Sequence, residues 1–222
     1  MEQVGAQPIR ADLLDETALT RLPACPHIIY MTGMKFGTTG QEPLTWAVNS
    51  YLPGRIAEQF PDSRIMAFST GNIYPLVPVD SGGSHESDPP EPVGEYAQSC
   101  LGRERVFEYF SSKQQTPICL FRLNYAVEAR YGVLLDIARH VYHQQPLSLD
   151  TGYVNVIWQG DANSYAFRAL QLCTSLPRKL NVTGPDILAV RDIARQFGER
   201  FGIQPQFTGE EQDTALLSDA SA

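Results

Sequence analysis

The sequence predicts an α/β chain: a parallel sheet of buried strands with helices on both faces, followed by a small C-terminal α/β lobe. Short continuous apolar runs at 27–31, 65–68 and 118–121 alternate with amphipathic helical stretches. That alternation marks strands buried on both faces beneath crossover helices. After Tyr125 the texture changes to shorter strands and helices, which sets the lobe apart.

Residues 8–12 read as a short strand and 13–22 as a short helix. The apolar run His27-Ile28-Ile29-Tyr30-Met31 ends at Thr32-Gly33 and suits a buried strand. In the helix that follows, Leu44, Val48, Leu52 and Ile56 recur every four residues. Pro53 lacks an N–H and should kink that helix or break it locally. Ile65-Met66-Ala67-Phe68 runs straight into the polar Ser69-Thr70-Gly71-Asn72. A long loop with Pro75, Pro78, Gly82, Gly83, Pro89, Pro90 and Pro92 comes next, a length that in compact domains marks functional loops. The spacing then predicts a helix over 95–113, with Val106, Phe107 and Phe110 on one side, and a third strand at 118–121. Beyond it come a helix at 132–144, a strand at 154–158, a helix at 161–176, a strand at 180–182 and a last helix carrying Val190, Ile193, Phe197 and Phe201. The acidic end Gly209-Glu210-Glu211-Gln212-Asp213 is expected to be mobile.

At 222 residues, 43% hydrophobic and 19% charged, the chain can bury one sizeable core with a small lobe attached. Its net charge of -8 argues against nucleic acid or an anionic membrane surface as partner. The start, Met1-Glu2-Gln3-Val4-Gly5, has neither a basic patch nor an apolar stretch, and no run approaches the length of a bilayer span. Cys25, Cys100, Cys119 and Cys173 are scattered without C-x-x-C spacing, which fits a reduced, cytoplasmic setting, with Cys119 and Cys173 as buried fillers. His27, His85, His140 and His143 are not spaced as metal ligands, and no G-x-S-x-G occurs, so a hydrolase reading is weak.

Parallel sheets bind ligands at the carboxyl ends of their strands. Three such ends stand out: Thr32-Gly33-Met34-Lys35, Ser69-Thr70-Gly71-Asn72-Ile73-Tyr74 and Arg122-Leu123-Asn124-Tyr125, with Tyr96 opening the helix that leads back to the sheet. A strand-end hydroxyl and a helix-borne phenol make a workable acid/base pair, although the same two residues also occur as ordinary packing.

In their order and spacing, Ile28-Ile29-Tyr30-Met31-Thr32-Gly33-Met34-Lys35, Ala47-Val48-Asn49-Ser50, Phe68-Ser69-Thr70-Gly71-Asn72-Ile73-Tyr74, Tyr96 with its helix, and Phe121-Arg122-Leu123-Asn124 resemble the middle section of the NAD(P)-dependent epimerase/dehydratase family, the extended short-chain dehydrogenases/reductases. Val154-Asn155-Val156-Ile157-Trp158-Gln159-Gly160-Asp161 and Leu180-Asn181-Val182-Thr183-Gly184 extend the resemblance, which covers roughly residues 8 to 203. The resemblance implies an incomplete doubly wound, Rossmann-like sheet, with residues 1–130 as a partial dinucleotide-binding core, return elements near 153–176, and 131–222 as mainly substrate lobe and acidic tail. It implies oxidoreduction of a nucleotide-sugar hydroxyl with NAD or NADP. Thr70 would orient the substrate and Tyr96 would move the proton. Lys35, Asn49 and Gly33 would lie near the cofactor ribose and the active-site floor, and Asp12 and Leu13 near adenine. From the residues alone, Asn49 is equally a helix-surface residue and Asp12 a helix cap.

The sequence departs from the family in two places. Four residues after its tyrosine the family has a lysine, whose charge lowers the phenol pKa from about 10 and whose ammonium holds the ribose. Here that cofactor position is Cys100. Arg103, two turns beyond Tyr96, and Lys35, from a neighbouring strand end, are the two candidates to replace it; Arg103 and Arg105 read equally as solvated partners of Glu104 and Glu108. The second departure is that the family's Gly-rich first βαβ unit should precede residue 8. The Gly-containing stretch 32–40 is not that unit, since only one helix and one strand fit between Gly33 and Thr70. A missing unit leaves a sheet edge uncovered, which a homo-oligomer, another partner or a longer parent chain would cover. These departures support a second reading, a non-catalytic relative that binds a nucleotide sugar or a protein.

Overall fold

The computed structural model describes residues 5–221. The start of the chain, residues 1–4, read above for the lack of an export signal, lies outside the described residues. Residues 8–12 form no strand; they are extended coil leading to α1, Glu16–Thr20, capped by the Asp15 carboxylate on the Thr17 N–H. Leu13 and Leu14 pack into the core at this point, which anchors the segment without a sheet partner.

The central sheet is parallel throughout, ordered β1 (His27–Tyr30), β2 (Arg64–Thr70), β4 (Ile118–Leu123) and β9 (Arg178–Val182). Side chains alternate between its faces, as the strand period demands. Ile65, Ala67, Ile118 and Leu120 join Leu19, Leu52, Ile56 and Phe107 on one face. Met66, Cys119, Phe121 and Val182 join Ala162, Ala166 and Cys173 on the other. The sheet is therefore covered on both sides, the doubly wound arrangement expected. β1 is an edge strand, bonded to β2 on one side and to no strand of the described residues on the other.

Between β1 and β2 runs a helix in three parts: α2 (Glu42–Trp46), a π-wound turn (Ala47–Tyr51) and α3 (Leu52–Gln59). Pro53 accounts for the middle part. It cannot donate to the Asn49 carbonyl, and its ring crowds that turn, so the backbone widens there. The widened turn also rotates the buried stripe. Thr45 and Asn49 are fully buried while Leu44 is 42% exposed, so the expected four-residue stripe holds only from Leu52 onward.

The long loop carries β3 (Val77–Pro78) and leads into α4 (Gly94–Gln114). After β4, the chain forms β5 (Ala126–Val127), α5 (Val133–Tyr142), β6 (Leu147–Ser148), β7 (Tyr153–Asn155) and β8 (Ile157–Trp158), so the strand expected at 154–158 is broken in two. α6 (Gln159–Ala169) returns to the sheet, and after β9 come β10 (Ile187–Ala189) and α7 (Val190–Phe201). Ile137, Val141, Leu147, Leu149, Val190 and Ala194 form a core cluster of their own.

The acidic stretch 209–213, expected to be mobile, has no helix or strand, whereas the residues just beyond it are tied down. After β11 (Phe207–Thr208), β12 (Thr214–Ala215) pairs antiparallel with β3, and Ala215, Leu216, Leu217 and Ser218 are buried. Asn155 donates from Nδ2 to the Ser218 carbonyl at 2.6 Å, and Asn124 donates to Asn155 Oδ1 at 2.9 Å. The acidic residues hid an apolar Ala-Leu-Leu latch just beyond them. No helix of the described residues is long and apolar enough to cross a membrane.

Candidate functional site

Because β1, β2 and β4 are parallel, their carboxyl ends share one side of the sheet, and a cleft of about 700 Å³ opens there. Its sheet side is formed by Gly33, Lys35, Ser69, Thr70 and Tyr96, and its far side by Tyr125, Tyr131, Asp136, Gln159 and Asn163. Four of the residues singled out in the sequence, Gly33, Lys35, Thr70 and Tyr96, thus meet in one place. Asn49 and Cys100 are fully buried or nearly so behind them, while Asp12 and Leu13 lie outside the lining. Asp12 acts locally, accepting from the Leu14 N–H at 3.0 Å.

Thr70 ends β2 and caps the short helical turn Gly71–Ile73, accepting from the Asn72 N–H at 3.2 Å. Tyr96, in the first turn of α4, brings its phenol against the Thr70 hydroxyl and the Cys100 thiol one turn on. Burial pushes the phenol well above the ordinary tyrosine value, the neighbouring thiol adds to the shift, and the charge of Arg103 opposes it without overcoming it. Burial likewise raises the Cys100 thiol.

Arg103 is neither solvated nor paired with Glu104. Its guanidinium is buried and makes three bonds, from Nη1 to the Phe68 carbonyl at 2.7 Å, from Nη2 to Asn49 Oδ1 at 2.9 Å and from Nε to the Asn49 carbonyl at 3.2 Å. The last is the carbonyl that Pro53 leaves without its helical donor, so the arginine supplies what the proline removes. Asn49 in turn holds Met34 by both backbone groups, N–H to Oδ1 at 2.8 Å and Nδ2 to the carbonyl at 3.0 Å. Arg103 and Asn49 thereby tie the ends of β1 and β2 to the helix between them. Gly33 is required by this packing, because a Cβ there would sit 2.6 Å from Arg103 Nη2. Lys35 points across the cleft, its Nζ 3.4 Å from the Tyr131 hydroxyl.

Beneath the site lies an ion pair that the sequence did not reveal. Glu104 and Arg122, 0% and 1% exposed, join at 2.7 and 3.0 Å; Ser69 donates to Glu104 at 2.6 Å, and Arg122 also bonds the Tyr74 hydroxyl. Tyr74 donates onward to Asn181 on β9 at 2.9 Å. The network crosses three strands and α4 directly under Thr70. An arginine inside an otherwise apolar strand was the one available signal. Arg105 does pair on the surface, with Glu108 at 2.7 Å. The lining contributed by Tyr131, Asp136 and Asn163 had no signal in sequence, because spacing along the lobe does not reveal which of its faces meets the sheet. No group of three or more potential metal-binding side chains occurs among the described residues.

No protein-family model matches the sequence, and no curated protein matches it. Solved structures do resemble it. One is a variant of UDP-glucuronic acid 4-epimerase from Bacillus cereus in complex with UDP-4-deoxy-4-fluoro-glucuronic acid and NAD, with a TM-score of 0.79 at 16% identity over 96% of this chain and 72% of that one. A second is Pal from Bacillus thuringiensis, TM-score 0.78 at 13% identity over 96% of this chain and 74% of that one. A third is RMD from Pseudomonas aeruginosa complexed with NADPH, TM-score 0.77 at 16% identity over 92% of this chain and 77% of that one. At these identities the likeness is one of fold, and it shows that the chain carries the Rossmann-type α/β fold, with its parallel central sheet, that the epimerase/dehydratase resemblance implies.

Proposed function

We propose that the chain forms the substrate-binding and proton-handling part of a nicotinamide-dependent oxidoreductase of the epimerase/dehydratase type, acting on a nucleotide sugar. The observation that carries this reading is the meeting of the Thr70 hydroxyl and the Tyr96 phenol at the carboxyl end of β2, in a cleft lined on its other side by Tyr131 and Asp136. Thr70 would orient a substrate oxygen and Tyr96 would hold the proton at it. Residues 131–222 would supply mainly the substrate lobe. The neighbours solved with NAD, NADPH or a UDP-sugar lend the reading support by analogy.

In this reading Gly33, Met34 and Lys35, which line the cleft beside Tyr96, would hold nicotinamide and its ribose, while Asp12 and Leu13, expected near adenine, lie outside that lining. A diphosphate needs unpaired N–H groups at a helix N-terminus, and the turn after β1 does not provide them. Gly40 N–H donates to the Glu42 carboxylate at 2.8 Å, which places an anion at the start of the five-residue α2. In this reading the cradle is supplied by residues other than those described, and the edge of β1, bonded to no described strand on its other side, is where a further strand would add.

Cys100, in place of the family's lysine, favours the second reading, a relative that binds a nucleotide sugar or a protein without turnover. Calorimetric titration of the full chain with UDP-glucose, NAD and NADP separates the two. Micromolar binding of UDP-glucose together with either dinucleotide supports the oxidoreductase. UDP-glucose binding without dinucleotide binding at millimolar concentration supports the nucleotide-sugar form of the second reading, and binding of neither contradicts the oxidoreductase and leaves only the second reading's protein-binding form.

A further inference from the structure

We propose that the cavity between α6, β9 and the C-terminal latch is a second binding site, for a small organic acid that carries an apolar body and a hydroxyl. It stands apart from the nucleotide-sugar reading and does not depend on it.

The cavity measures about 740 Å³, within the usual size of a small-molecule pocket, and shares no lining residue with the cleft at Thr70 and Tyr96. One helix serves both. The start of α6 lends Gln159 and Asn163 to the cleft, while Tyr165, Arg168 and, in the short turn Leu170–Leu172 that follows, Leu172 line the cavity. Leu180 and Val182, two residues apart on β9 and on the sheet face that α6 covers, form its apolar wall.

The polar groups of the lining divide into those already bonded and those that are not. Asn181 is fully engaged: its Nδ2 donates to the Ser84 and Asp219 carbonyls, each at 2.9 Å, and its Oδ1 accepts from the Tyr74 hydroxyl. The Asp219 carboxylate accepts from the Ser221 N–H at 2.9 Å. The Thr183 and Ser218 hydroxyls, by contrast, belong to residues 8% and 2% exposed and have no partner among the described residues. A buried hydroxyl without a partner is uncommon, because nothing replaces the water it gave up. Arg168 is the third uncommitted group, exposed on α6 and in no ion pair of the described residues.

Each feature specifies one part of the ligand. The guanidinium takes a carboxylate. An apolar body lies on Leu180 and Val182 and covers Leu172 and Tyr165, which are 37% and 47% exposed. Thr183 and Ser218, after a χ1 turn toward the cavity, take a hydroxyl, since each can both donate and accept. A nucleotide sugar is a poor match, because its diphosphate would meet one arginine and the negative charge of Asp219.

The test uses 4-hydroxyphenylacetate as the probe and backbone amide NMR shifts of the full chain as the readout. Saturable changes are expected at Tyr165 to Leu172, Asn181 to Thr183 and Ser218 to Ser221, with none at Thr70 or Tyr96 and a dissociation constant below about 1 mM. Arg168→Gln, and separately 4-hydroxyphenylacetamide in place of the acid, should each weaken binding about tenfold or more. Thr183→Val, which removes the hydroxyl at nearly constant volume, and phenylacetate, which lacks the phenol, should each weaken it about threefold or more. The two altered probes decide the matter on the wild-type chain even where a variant fails to fold. No changes at about 10 mM probe, changes confined to the cleft, or binding indifferent to loss of the probe's charge or of its phenol would overturn the inference. Each of these results leaves the nucleotide-sugar reading untouched.

Discussion

Replacing Glu104 with alanine is expected to cost about 3–5 kcal/mol of stability, the usual result of stripping one partner from a buried ion pair. Arg122 would be left 1% exposed with its positive charge facing the gap. Its remaining bonds, to the Tyr74 hydroxyl and the Glu86 carbonyl, do not neutralise it. Ser69 would lose its acceptor as well. The paired replacement Glu104→Leu with Arg122→Met removes both charges and keeps most of the volume, so it should cost far less than the single change. Urea unfolding of the three proteins measures this. A single-variant loss below about 1 kcal/mol would mean that water reaches the pair and that the network does not hold the strands as described.

Tyr96→Phe is expected to lower turnover of a nucleotide sugar by about 10²–10⁴-fold, the range for losing a positioned proton donor. Sugar affinity should change by no more than about tenfold, because one neutral hydrogen bond is worth about 0.5–1.5 kcal/mol. The phenol makes no bond that the fold depends on beyond its contacts with Thr70 and Cys100, so the variant should remain folded. Steady-state kinetics with wild type as reference decides the matter. Unchanged turnover would remove Tyr96 from the chemistry.

The parts of the structure legible in the sequence share one property: they are periodic or local. The three buried runs became β1, β2 and β4 because continuous apolar residues can be buried only on both faces of a covered sheet. Pro53 announced the break in the helix for the same local reason. The strand-end residues Thr70 and Gly33 could be placed near a site because parallel strands put all their carboxyl ends on one side. What the sequence withheld was set by long-range pairing. Arg103 read equally as a replacement for the family's lysine and as a surface charge, and only the fold brings it against Asn49 and Phe68, 54 and 35 residues away. The C-terminal latch beyond the acidic stretch went unread because its hold comes from Asn124 and Asn155, far off in the chain. Leu44, placed on the buried stripe by its spacing, is turned outward by the π-wound segment.

The most direct test of the account is where a nucleotide sugar binds. Backbone amide NMR shifts of the full chain, followed during titration with UDP-glucose, give the answer. Saturable changes are expected, centred on Gly33 to Phe36, Ser69 to Gly71, Tyr96 and the Tyr125 to Val133 segment that faces them. Changes confined to the separate cavity around Thr183 and Ser218, or no changes at millimolar sugar, would contradict it.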